Sequence, residues 1–135
     1  MTAKQTEFCN SIVQALRKYA PNYNIYCYSA IIAQAIIESN WGKSVLSAKY
    51  HNYFGIKCGS NWDGKSVNMT TKEEYTRGSI TTIKDNFRVY DSLEDGVKGY
   101  LLFINTKRYA NLKNVYDYKT YIENIKADGL SLIHI

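Results

Sequence analysis

Glu38 is the residue of this 135-residue chain whose position most clearly invites chemistry. Ile31, Ile32, Ala35 and Ile36 recur at helical spacing after Ser29, a candidate N-cap, and Asn40-Trp41-Gly42 ends the run. Glu38 therefore falls in the last turn, where the helix dipole penalises a negative charge. Desolvation by Ile37 and Trp41 acts in the same direction. Both effects favour the protonated carboxyl, the state that a general acid needs near neutral pH. The same position also suits an ordinary solvated glutamate, so physics alone leaves the assignment open.

Other reactive side chains are less suggestive. Cys9, Cys27 and Cys58 are an odd number at wide spacing, which fits neither a closed disulfide framework nor a zinc site, and they read as free thiols. His51 and His134 have no partner at ligand spacing, so no metal and no cofactor is expected. Thirteen tyrosines, beside two tryptophans and four phenylalanines, are the unusual feature of the composition. A tyrosine offers a flat apolar face and a hydrogen-bonding edge, which suits sugar rings, although most tyrosines in a domain serve packing.

The elements that must hold Glu38 are legible from periodicity. Phe8, Ile12, Ala15, Leu16 and Tyr19 share one face of a first helix that Pro21 stops. The Glu38 helix follows. Ser66 to Ile83 is rich in threonine and β-branched residues around Tyr75-Thr76-Arg77-Gly78, which reads as a β-hairpin. Ser92-Leu93-Glu94-Asp95 has capping-box spacing and opens a helix with Leu93, Val97, Tyr100, Leu101 and Ile104 on one face. A last helix after Asp117 turns Tyr118, Tyr121, Ile122 and Ile125 inward and stops at Gly129. The expected class is α+β, mostly α, in one domain.

The run Gln34-Ala35-Ile36-Ile37-Glu38-Ser39-Asn40-Trp41-Gly42 resembles the signature of the glucosaminidase family of cell-wall hydrolases, which includes bacterial autolysins, flagellar muramidase-like domains and phage lysins. The resemblance continues through Asn52-Tyr53-Phe54-Gly55-Ile56-Lys57 and Phe87-Arg88-Val89-Tyr90-Asp91-Ser92. A Glu-Ser-x-Trp-Gly motif alone is shared with lytic transglycosylases, whereas three motifs in this order are specific. The resemblance implies a lysozyme-like fold, with a helical lobe and a small β-hairpin lobe flanking a substrate cleft. It also implies hydrolysis of the β-1,4 bond after N-acetylglucosamine in peptidoglycan, with Glu38 as catalytic acid and glycan strands as the partner.

The family also places a second acidic residue on the hairpin. Counting forward from Gly64-Lys65-Ser66-Val67 favours Glu73, while counting back from Gly78 or requiring the aromatic neighbour Tyr75 favours Glu74. An inverting enzyme uses such a carboxylate to activate water, and a retaining one uses it as nucleophile. Attack by the substrate's own N-acetyl group is the third route, and all three stay open. By the same resemblance Asn52, Tyr53, Phe54, Trp41 and Tyr75 are candidate substrate-binding residues. Tyr53 and Phe54 shape the cleft floor or stack on a sugar, Asn52 holds the loop or an acetamido group, and Gly55 permits a close turn. Trp41 reads more as a buried support for Glu38, and Arg88 either pairs with a carboxylate of the β-lobe or lies on the surface.

The ending departs from the family. Leu130 stands where a tyrosine is expected, so the expected boundaries are 1–129 for the catalytic domain and 130–135 for an atypical tail read as non-native. The altered ending keeps a non-catalytic wall-binding module as an alternative, beside a lytic transglycosylase. A net charge of +5 attracts polyanions, among them nucleic acids, anionic lipids and bacterial walls. No nucleic-acid motif or basic stripe accompanies it. No apolar run spans a membrane and the N-terminus lacks signal-peptide character, so the expectation is a monomer acting at the cell wall, phage-delivered or released from the cytoplasm.

Overall fold

A computed structural model describes residues 1–76 and 78–130, without the side chains of 71–76 and 83. It contains five α-helices, α1 (Ala3–Tyr19), α2 (Tyr28–Ser39), α3 (Val45–Ala48), α4 (Leu93–Ile104) and α5 (Tyr118–Ala127), and two strands, β1 (Ser66–Thr76) and β2 (Ser79–Arg88). Short 3-10 segments cover Ala20–Tyr23 and Lys107–Leu112. The helices build one body, and the strands pair antiparallel as a separate hairpin, so the architecture is α+β and mostly α. Among the described residues no helix is long and apolar enough to cross a membrane.

Side-chain caps open α1, α4 and α5. Thr2 caps α1 with a full capping box to Gln5. Ser92 accepts from the Asp95 amide at the start of α4, and Asp117 from the Thr120 amide at the start of α5. The expected cap at Ser29 is corrected: Cys27 occupies the N-cap of α2 and makes no side-chain cap bond. At the other end of the chain, Gly129 at φ 88° donates to the Lys126 carbonyl and Leu130 to the Ile125 carbonyl. Those two bonds form a Schellman motif. Leu130 also packs against the core, while residues 131–135 of the tail lie outside the described residues.

The core forms on the faces that the periodicity marks. Phe8, Ile12, Ala15 and Leu16 of α1 meet Val97, Tyr100, Leu101 and Ile104 of α4, in one cluster with Tyr121, Ile122 and Ile125 of α5. Around α2, Ala30, Ile31 and Ala35 are buried and Ile32 and Ile36 pack partly. Tyr118 departs from the expected face, being 44% exposed one turn before Tyr121. One polar network lies inside this core. The Tyr100 hydroxyl donates to Gln34 Oε1 at 2.8 Å and lies 2.6 Å from the Tyr121 hydroxyl, tying α2, α4 and α5 together. Burial pushes both phenols up from the usual tyrosine range, so neither ionises near neutral pH.

The hairpin joins the body at its base. Its ladder runs from Ser66 opposite Arg88 to Glu74 opposite Ile80, with an irregularity between Glu74 and Thr76. Phe87 is buried and bridges to Lys57, the Cys58 amide donates to Asn86 and the Arg88 amide to Ile56.

Replacing Tyr100 with Phe keeps the ring but strands Gln34 Oε1 and the Tyr121 hydroxyl inside the core. A loss of about 2–3 kcal/mol is expected from two buried groups left unsatisfied. Tyr121→Phe leaves the Tyr100–Gln34 bond intact and should cost about 1 kcal/mol. Urea unfolding of the two variants checks the order.

Candidate active site

Glu38 is half-buried in the last turn of α2, and the chain beyond it is held by its neighbour. Ser39 is buried; its hydroxyl donates to the Ala35 carbonyl and accepts from the Gly42 amide at 2.8 Å. Its carbonyl accepts from the Ser44 amide at 3.0 Å and from the Ser47 hydroxyl at 3.4 Å. Asn40, Trp41 and Gly42 then take three successive left-handed conformations, at φ 49°, 60° and 78°. Such a turn is steep for L-residues. A Cβ at Gly42 would lie 2.8 Å from the Phe8 ring, so both the backbone angle and the packing demand glycine there. Trp41 is half-buried and packs against the core.

The second motif approaches Glu38 through its glycine. Gly55 has φ 65°, and a Cβ added there would stand 3.1 Å from Glu38 Oε2 and 3.9 Å from Cδ. Backbone thus lies directly against the carboxyl group. Asn52 fixes this loop: its amide donates to the Ile56 and Arg88 carbonyls, each at 2.9 Å, and its Oδ1 accepts from the Ile56 amide at 3.0 Å. Of the two expected roles for Asn52, the structure shows the loop-holding one. Tyr53 and Phe54 are buried, Tyr53 tilted against Phe8 and Phe54 stacked on Tyr100 at 4.2 Å. Both rings are thus held in the core, beside the Gly55 turn.

The third motif closes the arrangement from the hairpin side. Arg88 is half-buried rather than on the open surface, and the β1 carboxylates considered as its partner have side chains outside the described residues. Its Nε donates to the Lys57 carbonyl at 3.0 Å, and its guanidinium lies over the Trp62 and Phe103 rings at 4.6 and 5.2 Å. The strand register puts Glu73 opposite Thr81 and Glu74 opposite Ile80, with Tyr75 at the ladder irregularity. The side chains of Glu73, Glu74 and Tyr75 lie outside the described residues.

Sequence reasoning missed two contributors. Ser39 was visible as a motif letter, with its bonds to Ala35 and Gly42 hidden. Gly55 was read as a turn residue, whereas its contact with Glu38 depends on tertiary approach. Among the described residues no three His, Cys, Asp or Glu side chains come together as a metal site, and all three cysteines are free thiols.

Comparison with known proteins gives a consistent result. A glucosaminidase family model, described as mannosyl-glycoprotein endo-beta-N-acetylglucosaminidase, matches residues 13–132. The peptidoglycan hydrolase FlgJ of Pseudomonas aeruginosa is 34% identical over 116 residues, covering 82% of this chain and 28% of that protein. The exo-glucosaminidase LytG of Bacillus subtilis is 36% identical over 107 residues, covering 75% of this chain and 37% of that protein. A probable N-acetylmuramidase of Lactococcus lactis is 39% identical over 105 residues, covering 77% and 23%. The chain thus spans well under half the length of these relatives. Among solved structures, a peptidoglycan hydrolase mutant from Sphingomonas sp. A1 superposes with a TM-score of 0.79 at 30% identity, over 93% of this chain and 83% of that one. The catalytic domain of the autolysin Auto from Listeria monocytogenes gives 0.71, also at 30% identity, over 94% and 75%.

Substituting Gly55→Ala tests the approach to Glu38. The left-handed angle should cost about 1–2 kcal/mol, and the new methyl should displace the carboxyl group. Lysis of a peptidoglycan suspension is expected to slow by about 10–100-fold, as misplacement of a catalytic group does. Thermal melting should show the variant still folded.

Proposed function

The chain belongs to the glucosaminidase family and has its lysozyme-like fold, and from that premise we propose that it hydrolyses the β-1,4 bond after N-acetylglucosamine in bacterial peptidoglycan, with Glu38 as general acid. The observation that carries the reading is the placement of Glu38 at the end of α2 with the Gly55 backbone against its carboxyl group. A half-buried carboxyl at the negative end of a helix is favoured in its protonated form. That form donates a proton to the departing glycosidic oxygen.

The second carboxylate comes from β1 in this reading, from Glu73 or Glu74. Adjacent strand positions belong to opposite faces of the ladder, so one of the two serves and the other does not. Asn52, Tyr53 and Phe54 act beneath the sugar site as its rigid floor, Trp41 supports the end of α2, and Tyr75 on the hairpin contacts the glycan. The protein works as a monomer at the bacterial cell wall, on glycan strands and without a cofactor. The names of the relatives divide between glucosaminidase and N-acetylmuramidase. A muramidase reading therefore stands as the second possibility for the bond cut.

Digestion of purified peptidoglycan, borohydride reduction and mass spectrometry decide between them. Reduced N-acetylglucosamine ends are expected from the parent protein. Glu38→Gln should lower their release by at least about 100-fold, the usual scale of general acid catalysis. Of Glu73→Gln and Glu74→Gln, one should lose most activity and the other little. Reduced muramic ends would establish the muramidase reading, and anhydromuramic ends a lytic transglycosylase.

A further inference from the structure

We infer that Tyr26 and Tyr116 form a second glycan-binding platform, at the far end of α2 from Glu38, that holds a peptidoglycan strand without cutting it. This rests on the peptidoglycan reading above. The two rings lie 5.1 Å apart and within 8° of parallel, and Tyr116 is 72% exposed. Large side chains this exposed are ordinarily free to rotate. Here the loops beneath them are locked. The Asn114 amide donates to the Asn24 carbonyl at 2.8 Å, and Lys113 Nζ donates to the Tyr23 carbonyl at 3.2 Å and to Asn105 Oδ1 at 2.7 Å. Asn24 and Asn114 both take left-handed turns, at φ 58° and 60°. Val115, between them and the exposed ring, packs against the core.

A ring ordered before its ligand arrives loses little entropy on binding. Its exposed surface suits the C–H face of a hexose, as the hydroxyl edge suits the rim. Tyr118, two residues beyond Tyr116 in the chain, is 44% exposed, and Asp117, between them in sequence, is engaged in capping Thr120. Arg17 lies within electrostatic reach of Tyr28 at the start of α2. That cation complements the carboxylates that peptidoglycan carries on its stem peptides. Tyr28 and Glu38 are separated by roughly 15 Å along the helix at 1.5 Å rise per residue. A sugar stacked on Tyr116 is therefore not the sugar being cleaved. A second foothold raises the effective concentration of the strand at the catalytic site.

The test uses Tyr116→Ala, Tyr116→Phe and the parent, each also carrying Glu38→Gln so that binding is read without cleavage. The probe is insoluble peptidoglycan stripped of anionic polymers. Alanine should weaken adsorption by about fivefold, the scale of one lost aromatic contact, while phenylalanine retains it. With Glu38 intact, Tyr116→Ala should cleave a soluble four-sugar peptidoglycan fragment at the parental rate and the insoluble wall more slowly. Adsorption independent of Tyr116, or an equal loss on the soluble fragment, would overturn the inference. Failure of the parent to release fragments from either substrate would instead refute the hydrolase reading, and adsorption would still report on the platform.

Discussion

A carboxyl group at the C-terminal end of a helix, in contact with its own protein's backbone, is the constraint around which this fold is arranged. The helix dipole opposes its charge, and the neighbouring chain must approach without a side chain in the way. The molecule meets this by embedding α2 among α1, α4 and α5, so that the helix bearing Glu38 cannot shift. Gln34, one turn before Glu38, accepts from the Tyr100 hydroxyl, which is itself paired with that of Tyr121. Ser39, one residue after it, organises the reversal of the chain. Glu38 is thus fixed from both sides along its own helix.

The loop that meets Glu38 is fixed independently. Asn52 binds backbone on both the loop and the hairpin, adding a side-chain tie to the backbone pairing that joins them. Phe54 stacks on Tyr100, the residue that also holds Gln34, and this one phenol couples the Asn52–Gly55 loop to α2. The tyrosines divide by this logic. Tyr53, Tyr100, Tyr109 and Tyr121 are core residues, whereas Tyr26, Tyr116 and Tyr118 keep a surface role. An aromatic-rich composition served two purposes that composition alone could not separate.

Much of this was legible in the sequence because it depends on local periodicity. The buried faces of α1 and α4 follow from apolar residues three and four apart, and Ser92 and Asp117 announce their helices as caps. Glu38 was legible through its place at a helix end. Contacts across long separations were not. The Tyr100–Gln34 bond joins positions 66 apart, and nothing near Gln34 distinguishes it from a solvent-facing glutamine. Tyr118 was misread because the first turn of α5 projects beyond the body, and helical spacing cannot tell where a core ends. Burial of Tyr53 and Phe54 was hidden for the same reason, since an aromatic motif beside a catalytic residue reads equally as floor or as contact. Leu130, set apart as foreign by comparison with the family, completes a cap and packs inward, which only its hydrogen bond to Ile125 reveals.

The hairpin's attachment has an evolutionary consequence. Its base is bound through backbone pairing at Ile56, Lys57 and Cys58 and through the buried Phe87, while Asn68, Thr70 and Thr81 along its length are exposed. Mutations on that outer length do not disturb the packing of the helical body. One side of the site is therefore bound to the core and inherits its low tolerance for change, while exposed hairpin positions such as Asn68, Thr70 and Thr81 are free to drift. Lineages facing walls of different chemistry can diversify on the hairpin while the helix that carries the acid stays as it was.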